Sequence, residues 1–352
     1  MDLIVLAAAL VVILGGAELF TNGIEWFGHK LELAEGAVGS VLAAVGTALP
    51  ETMIPIIAIG FGGGGAATDA VGIGAILGAP FMLSTLAMFV TGLGIIAWRG
   101  RRATGTAMVV DTVVLAHDMR YFAVAYALAV GAAFLPPELA AGKLVVAAVL
   151  IGIYVWYVKA HLQADGNGNG EGEELAPLRF GRFDRGHHRP APSAPRLRIV
   201  GVQVVAALGC IVAGAYLFVG AVDRVAEAVG VNQVLLALVI APIATELPEK
   251  FNSLIWVRRG KDTLAMGNIT GAMVFQSAIP TVIALVFAAE SWRVTEDSMV
   301  AFASAGIAFA ASAAIFVPMA RRGRLDGRAL LVGGVFYLGY LALVAGELLG
   351  IL

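Results

Sequence analysis

Two five-residue strings, Thr47-Ala48-Leu49-Pro50-Glu51 and Thr245-Glu246-Leu247-Pro248-Glu249, put a proline beside a carboxylate inside stretches apolar enough to cross a lipid bilayer. Both residues are costly at that depth. Proline removes a backbone donor and breaks the helix. An ionisable side chain in hydrocarbon costs at least about 2.5–3.5 kcal/mol and marks a functional site by default. The two costs recur together at an offset of 198 residues. This pattern points to a bundle whose two halves each bring a broken helix to a shared ion site near the bilayer midplane.

Composition agrees with a membrane setting. Of the 352 residues, 59% are hydrophobic and 14% charged, and the mean hydropathy is +0.88. A soluble domain is typically about 45–50% apolar and about 25% charged. The apolar runs reach helix-spanning length and lack the period-2 alternation of a membrane barrel. The reading is therefore an all-α membrane protein. Cys210 is the sole cysteine, which excludes an internal disulfide and thiolate metal clusters. Met1 to Gly15 is apolar without a basic flank and reads as the first span rather than a cleaved signal. The partners expected are the lipid bilayer and inorganic cations, not nucleic acid, and a monomer is sufficient; the oligomeric state stays open.

Ten spans are predicted, near 3–26, 37–61, 69–97, 121–136, 139–159, 198–221, 232–257, 263–289, 297–318 and 328–349. The segment 103–120, interrupted by Asp111, His117 and Asp118, reads as an amphipathic helix along the interface. With both termini outside, nineteen of the 23 Lys and Arg residues fall in loops on the cytoplasmic side. Lys143, Arg224 and Arg293 fall on the other, and Lys250 lies within a span. This one-sided bias sets the orientation, with the loop 161–197 in the cytoplasm; the membrane expected is the cell inner (plasma) membrane. That loop is rich in Gly, Asn, Glu, Arg and Pro and reads as a flexible linker between a first repeat, 1–160, and a second, 198–352. His187 and His188 are solvated loop residues in this reading, and all five histidines fall in loops or at the interface.

The two halves repeat beyond the five-residue strings. Gly16-Ala17-Glu18-Leu19-Phe20 aligns with Gly214-Ala215-Tyr216-Leu217-Phe218 at the same offset of 198. Gly74-Ala75-Ile76-Leu77-Gly78-Ala79 aligns with Gly267-Asn268-Ile269-Thr270-Gly271-Ala272 at 193, the difference falling in the glycine-rich turn 60–65. Five spans per half, an odd number, make this an inverted-topology repeat. The two Gly-x-x-x-Gly strings are expected to serve close helix packing.

The chemistry follows from the strings. Pro50 and Pro248 should free carbonyls one turn earlier, near Gly46 and Ala244. These carbonyls and the Thr47 and Thr245 hydroxyls are neutral oxygen donors, and Glu51 and Glu249 add negative charge. Two such sets facing each other make an oxygen cage suited to a hard cation. Ca²⁺ takes about 6–8 oxygens at about 2.3–2.6 Å. The same oxygens can hold Na⁺ or protons once a divalent ion leaves, so competition for one site is a basis for exchange.

The strings, the Gly-Ala-Glu-Leu-Phe of the first span and the 5 + 5 layout resemble the cation/Ca²⁺ exchanger superfamily, which includes Na⁺/Ca²⁺ exchangers. The resemblance implies a ten-helix fold with spans two, three, seven and eight as its core. Spans one and six would slide across that core. It also implies Glu51 and Glu249 as principal Ca²⁺ ligands, assisted by Thr47 and Thr245. Ala48 and Glu246 stand where the family usually has serine. Gln276 stands where an acid is common, and span three, reading Gly78-Ala79-Pro80-Phe81-Met82-Leu83, lacks the usual side-chain donors.

Glu246 either substitutes for lost ligands, takes protons as the coupling ion, or is held in an ion pair, Lys250 being one turn away at the favoured i, i+4 spacing. Asn268, Thr270 and Ser277 are further possible ligands, with Ser84 and Thr85 weaker ones, and Glu18 either lines the ion path or the interface. The leading reading is a secondary antiporter exchanging Ca²⁺ or another divalent cation for Na⁺ or H⁺, with no cofactor. The alternative is a non-exchanging channel or sensor on the same fold. No His-Glu-x-x-His and no in-span serine–histidine pair occurs, which argues against an enzyme.

Overall fold

The computed structural model describes residues 2–31, 37–61, 66–136, 139–164, 175–183, 195–229, 246–295 and 298–348. Among these it is almost wholly helical. The first repeat holds α1 (Asp2–Lys30), α2 (Val38–Thr47), α3 (Leu49–Pro55, continued by Ile56–Phe61), α4 (Ala66–Met82, running on through Leu83–Ala87 and Met88–Trp98), α5 (Thr112–Gly131) and α6 (Ala140–Ala164). The second holds α7 (Leu197–Val229), α8 (Leu247–Arg258), α9 (Asp262–Phe287), α10 (Met299–Arg322) and α11 (Val332–Leu348). Among the described residues eight helices are long and apolar enough to cross a membrane, nine if the bent pair α2–α3 counts as one span. Of the predicted seventh span, residues 232–245 lie outside the described residues and α8 is the remainder.

The repeat can be read from contacts. A Cβ on Gly16 of α1 would lie 2.9 Å from Ile211 and 3.2 Å from the Ala207 carbonyl of α7. A Cβ on Gly214 of α7 would lie 2.7 Å from Ile13 and 3.2 Å from the Ala9 carbonyl of α1. Every member of one contact is its counterpart in the other moved by 198 residues. Such reciprocity is the signature of a two-fold axis between the helices. Higher positions on α1 meet lower positions on α7, so the helices run antiparallel. A two-fold relating antiparallel spans lies in the membrane plane, which is what an inverted repeat requires.

The core is built on α4 and α9. Of their most apolar windows 83% and 78% are buried, against 22–44% for the other spans. Close packing of α9 on α2 depends on small residues, most tightly at Gly271. A Cβ on Gly271 would fall 2.0 Å from the Ser40 carbonyl oxygen of α2. The close helix packing expected of a Gly-x-x-x-Gly string occurs at this crossing of α9 with the broken span two.

Several sequence expectations need correction. The segment before span four is not an interfacial helix. Ala107–Met108 pairs antiparallel with Leu325–Asp326, and α5 begins at Thr112, where Asp111 Oδ1 accepts from the Val113 and Val114 amides at 2.9 and 3.1 Å. Span four therefore starts nine residues earlier than expected, because Asp111 caps its exposed start and Asp118 is satisfied inside the bundle. His161 is likewise no loop residue; it is buried on α6. Lys143, assigned to a loop, is on α6 and donates to the Ala289 and Trp292 carbonyls at 2.6 and 2.8 Å.

Part of the central linker is docked. The Asn22 and Trp26 side chains of α1 donate to the Ala176 carbonyl, and the Phe180 amide donates to Gln203 of α7 at 2.8 Å. Residues 165–174 and 184–194 of the linker lie outside the described residues. The tight crossing is testable: Gly271→Ala should lower stability by about 1–3 kcal/mol through overpacking. Gly209→Ala, whose Cβ would meet nothing within 4 Å, should leave it unchanged. Thermal unfolding of both variants in detergent measures the difference.

Candidate cation site

The helices that carry the two Pro-Glu pairs start from equivalent residues in nearly the same conformation. Ala48, between α2 and α3, has φ −81° and ψ 3°. Glu246, at the start of α8, has φ −84° and ψ 5°. In each copy the next helix has its proline in the first turn, where the missing N–H would have had no partner. The axes flanking the first break differ by 50°. Each break then resumes with the same hydrogen bond, Thr52 N to Ala48 O at 3.2 Å and Lys250 N to Glu246 O at 3.3 Å. Glu51 and Glu249 follow in the first turn of the resumed helices and are buried.

The long helix α9 supports the first break from the side. Asn268 Oδ1 accepts from the Thr47 hydroxyl at 3.1 Å. Two turns on, Gln276 Nε2 donates to the Ala48 carbonyl at 3.2 Å. With its nitrogen so engaged, the amide offers Oε1 as the atom for a cation. Gly46 is buried one residue before Thr47, and a Cβ there would lie 1.5 Å from the Phe20 ring of α1. Only glycine allows α1 to approach the break that closely.

The predicted acids are also where hydrogen bonding is least complete. Several buried side-chain polar atoms have no hydrogen-bond partner among the described residues. Five of them are both Glu51 oxygens, Glu246 Oε1, Glu249 Oε2 and Asn268 Nδ2. Such groups are rare in folded proteins, because each costs about 1–3 kcal/mol and more if charged. Carboxylate oxygens without a protein donor are the ligands a hard cation needs. Glu51 is within electrostatic reach of Glu249, Glu246 and Lys250. No group of three or more His, Cys, Asp or Glu among the described residues is arranged as a ready metal cluster. The donor set here is instead two acids from opposite repeats with hydroxyl, amide and backbone oxygens.

Of the predicted ligands, Glu51, Glu249, Thr47, Gly46, Glu246, Asn268 and Gln276 are all buried at or beside the two breaks. Thr245 and Ala244 lie outside the described residues. Glu246 Oε2 accepts from Lys250 Nζ at 2.9 Å, the one-turn pairing anticipated from the sequence. Ser84 and Thr85 donate to Phe81 O, and Ser277 to Val274 O, within their own helices. Glu18 is exposed and paired with Arg179 of the linker at 2.6 Å.

Thr270 belongs to a different cluster, which sequence reasoning missed. Two residues from Asn268 on a helix, it points to another face. Its hydroxyl donates to Asp118 Oδ2 of α5 at 2.5 Å, and Ser40 of α2 donates to the same oxygen at 3.0 Å. Tyr157 OH and His161 Nε2 of α6 meet Asp118 Oδ1, both at 3.0 Å. Tyr157 and His161 are spaced i, i+4 on one helix face, and that polar stripe was the available signal. Asp118 thereby pins α5 and α6 to α2 and α9. Removing its carboxylate with Asp118→Ala would leave four buried donors behind and should cost about 3–5 kcal/mol. Thermal unfolding of the purified variant measures it.

The chain was also compared with known proteins. The family model described as "Sodium/calcium exchanger protein" matches residues 1–162 and 199–346, leaving out the central linker. "Putative antiporter CaxA" from Alkalimonas amylolytica is 38% identical over 74 residues, 21% of this chain and 23% of that protein. The match thus spans about a quarter of that relative's length. Solved structures of the sodium-calcium exchanger NCX_Mj share the fold. The form soaked with 2.5 mM Na⁺ and 0.1 mM Ca²⁺ superposes with a TM-score of 0.66 at 17% identity, covering 97% of both chains. The form soaked with zero Na⁺ and Ca²⁺ gives 0.64 at 16%, covering 97% of this chain and 98% of that one.

Proposed function

From the premise that the chain belongs to the sodium/calcium exchanger protein family and is a multi-pass membrane protein, we propose that it is a secondary cation antiporter. It exchanges Ca²⁺ or another divalent cation for Na⁺ or H⁺ by alternating access at one midplane site. The observation that carries this reading is the set of buried, unpartnered carboxylate oxygens on Glu51, Glu249 and Glu246, at the equivalent breaks of two inverted repeats.

In this reading Glu51 and Glu249 are the principal ligands. Thr47, Gln276 and Asn268 complete the shell from the first break and α9, with backbone oxygen from Gly46. Thr245 and Ala244 are proposed to supply the matching oxygens from the second repeat. A divalent cation bound between the two carboxylates neutralises them, and monovalent cations replace it when it departs. Both states keep the site's net charge low, and a bilayer interior demands this of any site that must cross between two accessible states. The antiparallel pair α1–α7 is, in this reading, the moving element. Its contacts to α8 include Asn252 to Thr21 at 2.7 Å and Trp256 to Glu25 at 2.8 Å. The arginine-rich loops support a cytoplasmic position for residues 161–197 and outside termini, in the inner (plasma) membrane.

Counter-ion-driven flux in proteoliposomes tests this. Ca²⁺, Mn²⁺ and Mg²⁺ uptake should depend on an outward Na⁺ or H⁺ gradient, and at least one divalent ion should compete for uptake of another. Glu51→Gln and Glu249→Gln should each reduce that uptake on the order of 100-fold or more, the loss expected for a ligand. Normal flux in either variant, or uptake indifferent to any counter-gradient, would refute the exchange reading.

A further inference from the structure

Three loops at one end of the bundle are fastened into a single surface. They are 99–111 after α4, 258–262 between α8 and α9, and 321–328 between α10 and α11. Arg102 joins the first to the second, donating to the Val257 carbonyl at 2.7 Å and pairing with Asp262 at 2.6 Å. The strand pair 107–108 with 325–326 joins the first to the third. The Gly327 amide donates to the Thr106 carbonyl at 2.9 Å, and the Thr106 hydroxyl to Asp326 at 3.0 Å. Residues far apart in the chain thus share one platform.

Its charge is one-sided. The three loops hold ten Lys and Arg residues against three aspartates. Each aspartate is engaged: Asp111 caps α5, Asp262 holds Arg102, and Asp326 accepts from Thr106 and from the Arg328 amide at 2.9 Å. Exposed arginines stand on every loop: Arg99 and Arg101, Arg258 and Arg259, Arg321 and Arg322. None of these six side chains has a hydrogen bond or ion pair among the described residues. The loop at the opposite end of α9, 288–298, has the reverse balance, with Glu290, Glu296 and Asp297 against Arg293.

The platform is also in register with a lipid surface. One turn inward from Arg259 is Ile255 of α8, one turn inward from Arg321 is Val317 of α10, and one turn inward from Arg328 is Val332 of α11. These three apolar side chains are exposed, by 38%, 45% and 36%. Open apolar side chains just below a ring of arginines match acyl chains just below phosphates.

We propose that this platform is a docking surface for the anionic phospholipid headgroups of the leaflet it faces. The group recognised is a phosphodiester on a lipid with net negative charge. Arginine suits it, because the planar guanidinium meets phosphate oxygens with two parallel hydrogen bonds. Orienting a chain in the membrane needs only positive charge in short loops. It needs neither three loops gathered into one surface nor arginine in preference to lysine, and Lys261 is the one lysine among the ten cations. Arg102 and Asp262 fasten the platform to the start of α9, so bound lipid braces the helix that carries Asn268 and Gln276.

The test is thermal unfolding of the full chain in dodecylmaltoside micelles, titrated with phosphatidylglycerol, with phosphatidylcholine or with inorganic phosphate. Phosphatidylglycerol should raise the unfolding temperature, since a ligand that binds only the folded chain stabilises it. Phosphatidylcholine and inorganic phosphate should not, and high salt should remove the rise. Each arginine lost near an anionic surface weakens binding about fivefold. Arg259→Gln/Arg321→Gln/Arg322→Gln should therefore need about 100-fold more phosphatidylglycerol for the same rise. Arg182→Gln/Arg185→Gln/Arg189→Gln, which removes equal charge from the linker, should behave as the wild-type protein. An equal rise with phosphatidylcholine or with inorganic phosphate overturns the proposal. So does an undiminished rise in the platform variant, or an equal loss in the linker variant. If the triple platform variant does not fold, Arg321→Gln/Arg322→Gln decides, with an expected increase of about 25-fold. None of these measurements uses transport, so their failure leaves the exchange reading standing, and failed exchange leaves the lipid surface standing.

Discussion

A helix interrupted inside a bilayer exposes backbone groups where no water can receive them, and the rest of this structure answers that problem. At Ala48 the chain turns out of helical geometry, and its carbonyl takes one donor from Gln276 of α9 and others from the resumed helix. The Thr47 hydroxyl is fixed between its own helix and Asn268. Helix α9 carries amides on an otherwise apolar face because the break opposite needs donors and acceptors. It can approach closely enough to supply them because residue 271 has no side chain. Packing, satisfaction of the backbone and the placing of ligand oxygens are therefore one arrangement.

The repeat gives this arrangement its two-fold form, most plainly in the reciprocal contacts of α1 and α7 and in the near-identical dihedrals of Ala48 and Glu246. Symmetry of backbone does not extend to side chains. The first break is supported by neutral groups, Thr52 on Ala48 and Gln276 on the same carbonyl. The second holds a buried ion pair. Two halves that present the same geometry with different charges make a site whose faces are unequal. The docked linker segment adds a further asymmetry. By bonding to Asn22 and Gln203 it ties neighbouring ends of α1 and α7 together on one side of the membrane.

Much of this was legible in the sequence because the features concerned are expensive. A Pro-Glu pair in an apolar run, repeated at a constant offset, has few interpretations. The apolar runs themselves locate most spans to within a few residues. What escaped reading depends on partners distant in the chain. Asp118 in an apolar stretch signals either an interface or a buried contact. Only the fold brings Ser40, Tyr157, His161 and Thr270 to its two oxygens. The same ambiguity moved the start of span four and misplaced His161. Thr270 was grouped with the ligands on spacing alone, whereas two residues along a helix is a turn of about 200° and puts it on another face. Lys250 could be paired with Glu246 from the sequence because that contact is local.

The two polar clusters differ in what their carboxylates still lack, and this difference separates structure from transport. Asp118 has both oxygens engaged, by two hydroxyls on one side and a phenol and an imidazole on the other. A carboxylate so surrounded holds four helices in place and has nothing left to offer an ion. Glu51 has neither oxygen engaged and Glu249 leaves one free. A buried carboxyl group in that condition is stable only as the neutral acid or with positive charge near, and Lys250 is already matched to Glu246. In the exchange reading proposed above, that charge is supplied from solution, as a cation or a proton, and leaves again. Because the two acids sit on opposite-facing halves of the chain, an ion bound between them joins both repeats, and its departure frees them to shift against each other. The proposed exchange of a mobile cation or proton thus draws on the carboxylates that the protein leaves without a permanent partner.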